Sequence, residues 1–98
     1  MVNYNKLIQM VRRGGLKMEN KINTAKLRAK RVENGYSMEN LAKKIGRTSK
    51  AYENKEKGIT EFTRSERLDL IVILKLSVKE VFEIFFASQL TEMLKVGV

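Results

Sequence analysis

The 98-residue chain contains no cysteine, no histidine, no proline and no tryptophan. Without cysteine there is no disulfide framework and no thiolate metal site. Without histidine the commonest general base and the commonest neutral metal ligand are both missing. Catalysis through Lys, Asp, Glu or Tyr stays chemically open, but no convergent polar constellation calls for it. The reading is a non-enzyme, with no cofactor, no metal and no small-molecule ligand expected. Long apolar runs are missing too. The best candidate, residues 68–76, is broken by Asp69 and Lys75 and falls far short of the ~20 residues of a membrane span. The arginines of the N-terminal stretch follow its apolar residues instead of preceding them, unlike a secretory signal. No membrane association and a cytoplasmic location are expected.

What the chain does have is positive charge, +9 overall, unevenly placed. Residues 1–22 hold five basic residues against one acid, and residues 23–58 hold ten against four. Residues 59–98 reverse the balance, with five basic residues against six acids. A basic front beside a near-neutral back fits a polyanion-facing surface joined to a packing module.

With no proline, helix punctuation falls to glycine and to polar caps. Gly35, Gly46 and Gly58 each close a short helical pattern, at about residues 24–34, 38–45 and 49–57. Ser37 and Thr48 stand at the cap positions of the second and third. In the second, Met38, Leu41, Ala42 and Ile45 form an apolar stripe at helical spacing. Thr63 with Glu66 and Ser77 with Glu80 are capping-box signatures that open a fourth and a fifth helix. Residues 68–76 are β-branched enough to suggest a strand, yet the upstream box and the placing of Asp69 and Lys75 favour helix. A last pattern puts Leu90, Met93 and Leu94 on one helical face.

Residues 1–17 stand apart. Tyr4, Leu7, Ile8 and Val11 keep helical spacing, which suits a short amphipathic arm. A second reading takes Gly14-Gly15 as the trace of a ribosome-binding region, with Met18 the start of translation. N-terminal sequencing of native protein that found Met1 would reject it.

Residues 27–58 read LRAKRVENGYSMENLAKKIGRTSKAYENKEKG, with landmarks at Leu27, Arg31, Gly35, Ser37, Leu41-Ala42, Ile45-Gly46, Thr48, Tyr52, Glu56 and Gly58. In residue type and spacing this stretch resembles the Cro-type helix-turn-helix family of phage repressors and xenobiotic-response-type regulators. The continuation GITEFTRSERLDLIVILKLSVKEVFEIFF looks like a branch common in phages of Gram-positive bacteria. The resemblance covers about two thirds of the chain. It implies an all-α fold, a compact five-helix phage-repressor-like helix-turn-helix domain at 18–86. An N-terminal extension (1–17) and a short C-terminal helix (87–98) would flank it.

Spacing divides the third helix into two faces. Tyr52, Lys55 and Glu56 share one, which should pack inward; Ser49, Lys50, Glu53, Asn54 and Lys57 share the other. The resemblance implies that Glu56 pairs with Arg31, tying the third helix to the first. It also makes the third helix the recognition helix, whose N-terminal residues read bases in the major groove. Ser49, Lys50 and Asn54 are then the base-reading candidates, since Asn suits adenine and Lys suits guanine O6 and N7. Glu53 faces the same way and would repel the backbone unless it accepts from a cytosine amino group. Lys43, Arg47, Thr48 and Lys57 are placed for phosphates, which orient the protein without reading sequence.

Two positions depart from the family pattern. Met38 stands where many relatives carry a glutamine that holds phosphate; a methionine cannot donate that hydrogen bond, and core packing is the role expected of it. Lys30 occupies an often apolar position, where its methylene stem can cover the core while the ammonium reaches water. The C-terminal Phe82, Phe85 and Phe86, with Leu90, Met93 and Leu94, exceed what one small domain readily buries. One reading folds them into the core. The other makes Phe85, Phe86, Leu90, Met93 and Leu94 a homodimer contact, as two-fold half-sites would require.

The function expected is a sequence-specific double-stranded DNA-binding transcriptional regulator of phage or prophage type, acting as a homodimer on an operator. The competing reading is a protein-interaction module on the same scaffold, antitoxin-like or an antirepressor, because fold alone does not fix function.

Overall fold

In a computed structural model, residues 21–86 are described, and they fold into five α-helices with no strand among them. In chain order these are α1 (Thr24–Glu33), α2 (Met38–Lys44), α3 (Ser49–Glu56), α4 (Arg64–Ile73) and α5 (Val78–Phe85). The architecture is a small all-α, helix-turn-helix-like domain. α2 packs most extensively against α3, and α1 packs against both α5 and α3.

Each helix begins on a side-chain cap that accepts a backbone N–H. Asn23, Ser37, Thr48, Thr63 and Ser77 do this for α1 to α5 in turn. Both capping boxes are closed: Thr63 and Ser77 accept from the N–H three residues on, while Glu66 and Glu80 reach back to accept from theirs. Such local bonds explain why α4 is a helix despite Ile71, Val72 and Ile73. Its tertiary contacts agree, because Leu70, Ile71 and Leu74 lie on one buried face.

The first three helices stop one residue short of the sequence reading, since Asn34, Ile45 and Lys57 are C-caps. All three end in the same way, the N–H of the second residue past the cap reaching back to a carbonyl in the last turn. The pairs are Tyr36 to Arg31, Arg47 to Ala42 and Ile59 to Asn54. At Gly46 this needs φ of +72°, while a Cβ there would meet nothing within 4 Å. The turn between α2 and α3 therefore needs glycine for its backbone angle, not for space. α4 ends identically, with Leu76 N–H bonded to Ile71 O, but its left-handed residue is Lys75 at φ 51°. A non-glycine there costs about 1 kcal/mol.

The core joins Leu27, Leu41, Tyr52, Leu70, Leu74 and Ile84, all essentially inaccessible. Phe62 tilts against Tyr52, and Phe82 against Phe86, at centroid distances of 5.8 and 5.5 Å. Phe85 and Phe86 have no exposed surface. Both belong to the buried core, as in the first of the two readings given for them. Leu90, Met93 and Leu94 lie outside the described residues, as does the amphipathic pattern of residues 4–11.

α1 and α5 are fastened at three levels. Asn23 N–H donates to Ile84 O at 2.9 Å, and Lys26 lies 3.8 Å from Glu83. Lys30 bridges Glu33 at 2.5 Å and Glu80 at 2.8 Å. The ammonium of Lys30 thus ends on two carboxylates instead of in open water, and those bonds raise its pKa. The same contact, with the Ser77 N–H, holds the Glu80 carboxyl at about 2. Arg67 is the exception to such pairing. It is buried 5.9 Å over the Phe85 ring, and its Nε and Nη1 have no hydrogen-bond partner among the described residues. Burial pulls its pKa down, against the opposing charge of Glu61.

Candidate nucleic-acid interface

α3 has two faces of opposite character, set by its helical spacing. Tyr52 and Glu56 are buried, and Lys55 is largely covered. Ser49, Lys50 and Lys57 are exposed, whereas Glu53 and Asn54 are half-buried. Asn54 is therefore less open than its helical position suggests, and its carbonyl accepts from the N–H groups of Ile59 and Thr60. Thr48 caps α3 by accepting from Ala51 N–H at 3.1 Å, which leaves its own hydroxyl proton free to donate.

Behind the exposed face, α3 is held by two buried carboxylates. Glu56 receives Arg31 in bidentate fashion, Nε to Oε1 at 2.7 Å and Nη2 to Oε2 at 3.2 Å. Tyr52 donates its phenol to the same Oε1 at 3.0 Å, and Arg31 Nη1 donates to Tyr36 O at 2.9 Å. One guanidinium thus joins α1, α3 and the segment leading into α2. Burial, and then the charge of Glu56, push the Tyr52 phenol far above its ordinary pKa, so it remains a donor throughout the accessible range.

The second carboxylate is Glu66, 3% exposed. It closes the cap of α4 at Thr63 N–H, takes the Nε of Arg47 from the α2–α3 turn, and lies 3.1 Å from Lys55 Nζ on α3. Burial pushes this carboxyl up. The bonds from Arg47, Thr63 and Lys55 outweigh that effect and hold it at about 2. Sequence reasoning found the capping box but not this hub. The only signal was that a box glutamate has a second oxygen to spare; its partners lie 19 and 11 positions upstream.

Arg47 consequently has a structural partner at one edge of its guanidinium, while about half of its side chain remains exposed. Lys43 is well exposed and lies 3.7 Å from Glu39 one turn earlier, a contact that solvent screens. On the outward face of α3, Glu53 takes both neighbouring lysines, Lys50 at 3.2 Å and Lys57 at 2.9 Å. Hydrogen bonds from Lys57 and Lys50 lower its pKa, so Glu53 stays ionised. The candidate base-reading and phosphate lysines are therefore linked through an acid that sequence spacing placed on their face.

Met38 is half-buried and packs on the core. It also lines an open cleft of about 480 Å³ between α1 and α3, together with Arg28, Glu53 and Lys57. Among the described residues no group of three or more metal-ligating side chains converges, and no helix is long and apolar enough to cross a membrane. Comparison of the chain with models of protein families, with curated proteins and with solved structures finds no match.

Proposed function

We propose that the protein is a sequence-specific double-stranded DNA-binding regulator of the Cro-type helix-turn-helix class, of phage or prophage type, acting in the cytoplasm by occupying an operator. The observation that carries this reading is the exposed N-terminal end of α3. Ser49 and Lys50 are exposed there, on a helix that Arg31–Glu56 and the Glu66 hub fix from behind. A helix that reads base edges must hold its register while its side chains stay accessible, and this arrangement meets both needs. Lys50 suits guanine O6 and N7, and Asn54 suits adenine from a more recessed position. Lys43, Arg47 and Thr48 precede this end and Lys57 stands at the other end of α3, and all four suit phosphates. The exposed lysines of the basic front would make affinity fall steeply with salt.

Two-fold operators need two copies of the protein. Phe85 and Phe86 are wholly buried in the described residues, which favours a core role for them over that contact. The test is selection from a random duplex library by the purified protein at physiological salt. An enriched, roughly palindromic site is the expected result, and Lys50→Ala with Asn54→Ala should abolish the preference while leaving the thermal midpoint nearly unchanged. Each lost base contact is worth about 1–3 kcal/mol of discrimination. Salt-sensitive binding without enrichment would reject sequence-specific reading and point to a protein partner for this face.

A further inference from the structure

The stripe of α3 that carries Lys50 and Lys57 also carries the acid that occupies them. Glu53 lies three residues after one lysine and four before the other, so a single line of the helix surface holds all three. Its two oxygens are divided between them. Oε1 accepts from Lys50 Nζ at 3.2 Å, and Oε2 accepts from Lys57 Nζ at 2.9 Å. The lysine side chains are 77% and 57% exposed, while that of Glu53 is 29% exposed. An anion is thus set back between two protruding cations.

We propose that Glu53 is a resident counter-anion that sets the specificity of this interface by withholding Lys50 and Lys57 from DNA that offers phosphates alone. The inference rests on the DNA-binding reading above. A lysine that leaves Glu53 for a random duplex exchanges one anion for another, and it uncovers a carboxylate against a polyanion. The exchange gains little, and the uncovered carboxylate must recruit a cation, which lowers the net release of counter-ions. A duplex with a cytosine opposite Glu53 changes the balance. Its N4 amino group donates one hydrogen bond to the carboxylate, which offsets part of what Glu53 loses when the lysines turn to the duplex. Non-specific affinity is thereby suppressed while cognate affinity is kept.

The experiment compares the full-length protein with Glu53→Gln and with Asp69→Asn, which makes the same charge change at an exposed site on α4. Each is titrated against a random-sequence duplex at salt concentrations from about 50 to 200 mM, and against the duplex selected by the wild-type protein. Glu53→Gln should bind the random duplex about two- to tenfold tighter at low salt, the range set by two exposed ion pairs. Its plot of log K against log salt should steepen by about one per subunit. Its affinity for the selected site should gain less, so the ratio between the two falls, and a repeated selection should lose a preferred cytosine. Asp69→Asn should leave both affinities within about twofold.

Equal behaviour of Glu53→Gln and wild type on the random duplex, or of Glu53→Gln and Asp69→Asn, would overturn the inference. In that case salt-dependent binding that weakens in Lys50→Ala would leave the DNA-binding reading standing. No duplex binding by the wild type would overturn both. The thermal midpoint of Glu53→Gln is measured alongside, and a fall in midpoint with unchanged DNA binding would reduce Glu53 to a helix-stabilising residue.

Discussion

The two faces of α3 carry the same chemistry, a carboxylate held by cations, and put it to opposite uses. On the inner face Glu56 is 5% exposed and meets Arg31 through two hydrogen bonds, with the Tyr52 phenol adding a third. On the outer face Glu53 meets two lysines that solvent reaches freely. Removing one member of a buried, fully bonded pair strands a charge in a poor solvent, whereas water replaces a lost partner at the surface. Burial, and not residue type, decides which pair fixes the helix and which remains free to exchange partners.

The largest effect that would test this contrast is Glu56→Gln, which should cost about 3–5 kcal/mol in denaturant unfolding by leaving Arg31 unpaired. Replacing the whole group with apolar residues, Arg31→Met, Tyr52→Phe and Glu56→Leu together, should recover most of that loss. A triple variant no better than Glu56→Gln would mean that the pair does more than cancel its own burial.

Next in size is the acid response. Glu66 and Glu80 are both held at about 2, below the ordinary carboxylate value of about 4.3. Their folded values lie below their unfolded ones, so their contribution is complete above about pH 5 and disappears as pH falls towards 2. Glu66→Gln should cost about 2–3 kcal/mol at neutral pH and flatten that acid slope, as followed by thermal midpoint against pH. Arg67 turns the comparison round, being a buried cation with no hydrogen-bond partner at Nε or Nη1 among the described residues. Arg67→Met should raise stability by about 1 kcal/mol. A fall would mean that the contact of this guanidinium with the Phe85 ring outweighs the cost of burying it. The smallest change is Glu53→Gln, whose stability should stay within about 0.5 kcal/mol of wild type.

The helices were legible because caps and glycines act within a few residues. Ser37, Thr48, Thr63 and Ser77 announce their helices through bonds to N–H groups three positions on, and periodicity divides α3 into its faces. What escaped the sequence depends on distance along the chain or on a rare backbone state. Lys75 turns α4 with a residue type that gives no such warning. Glu66 gathers Arg47 and Lys55 from the turn and helix before it, which no local pattern encodes. Of the outward face of α3, spacing gave the stripe. It did not give the half-burial of Asn54 or the division of Glu53 between two lysines.

The bond from Asn23 N–H to Ile84 O brings the beginning of the domain beside its end. The described chain is thus nearly a closed ring, and its order in space owes little to where the ring is cut. A short linker across that junction, with new ends opened in the exposed stretch 58–61, would give a circular permutant that retains every helix. A cargo domain fused to either end of 21–86 would enter from the same side, close to the junction of α1 and α5.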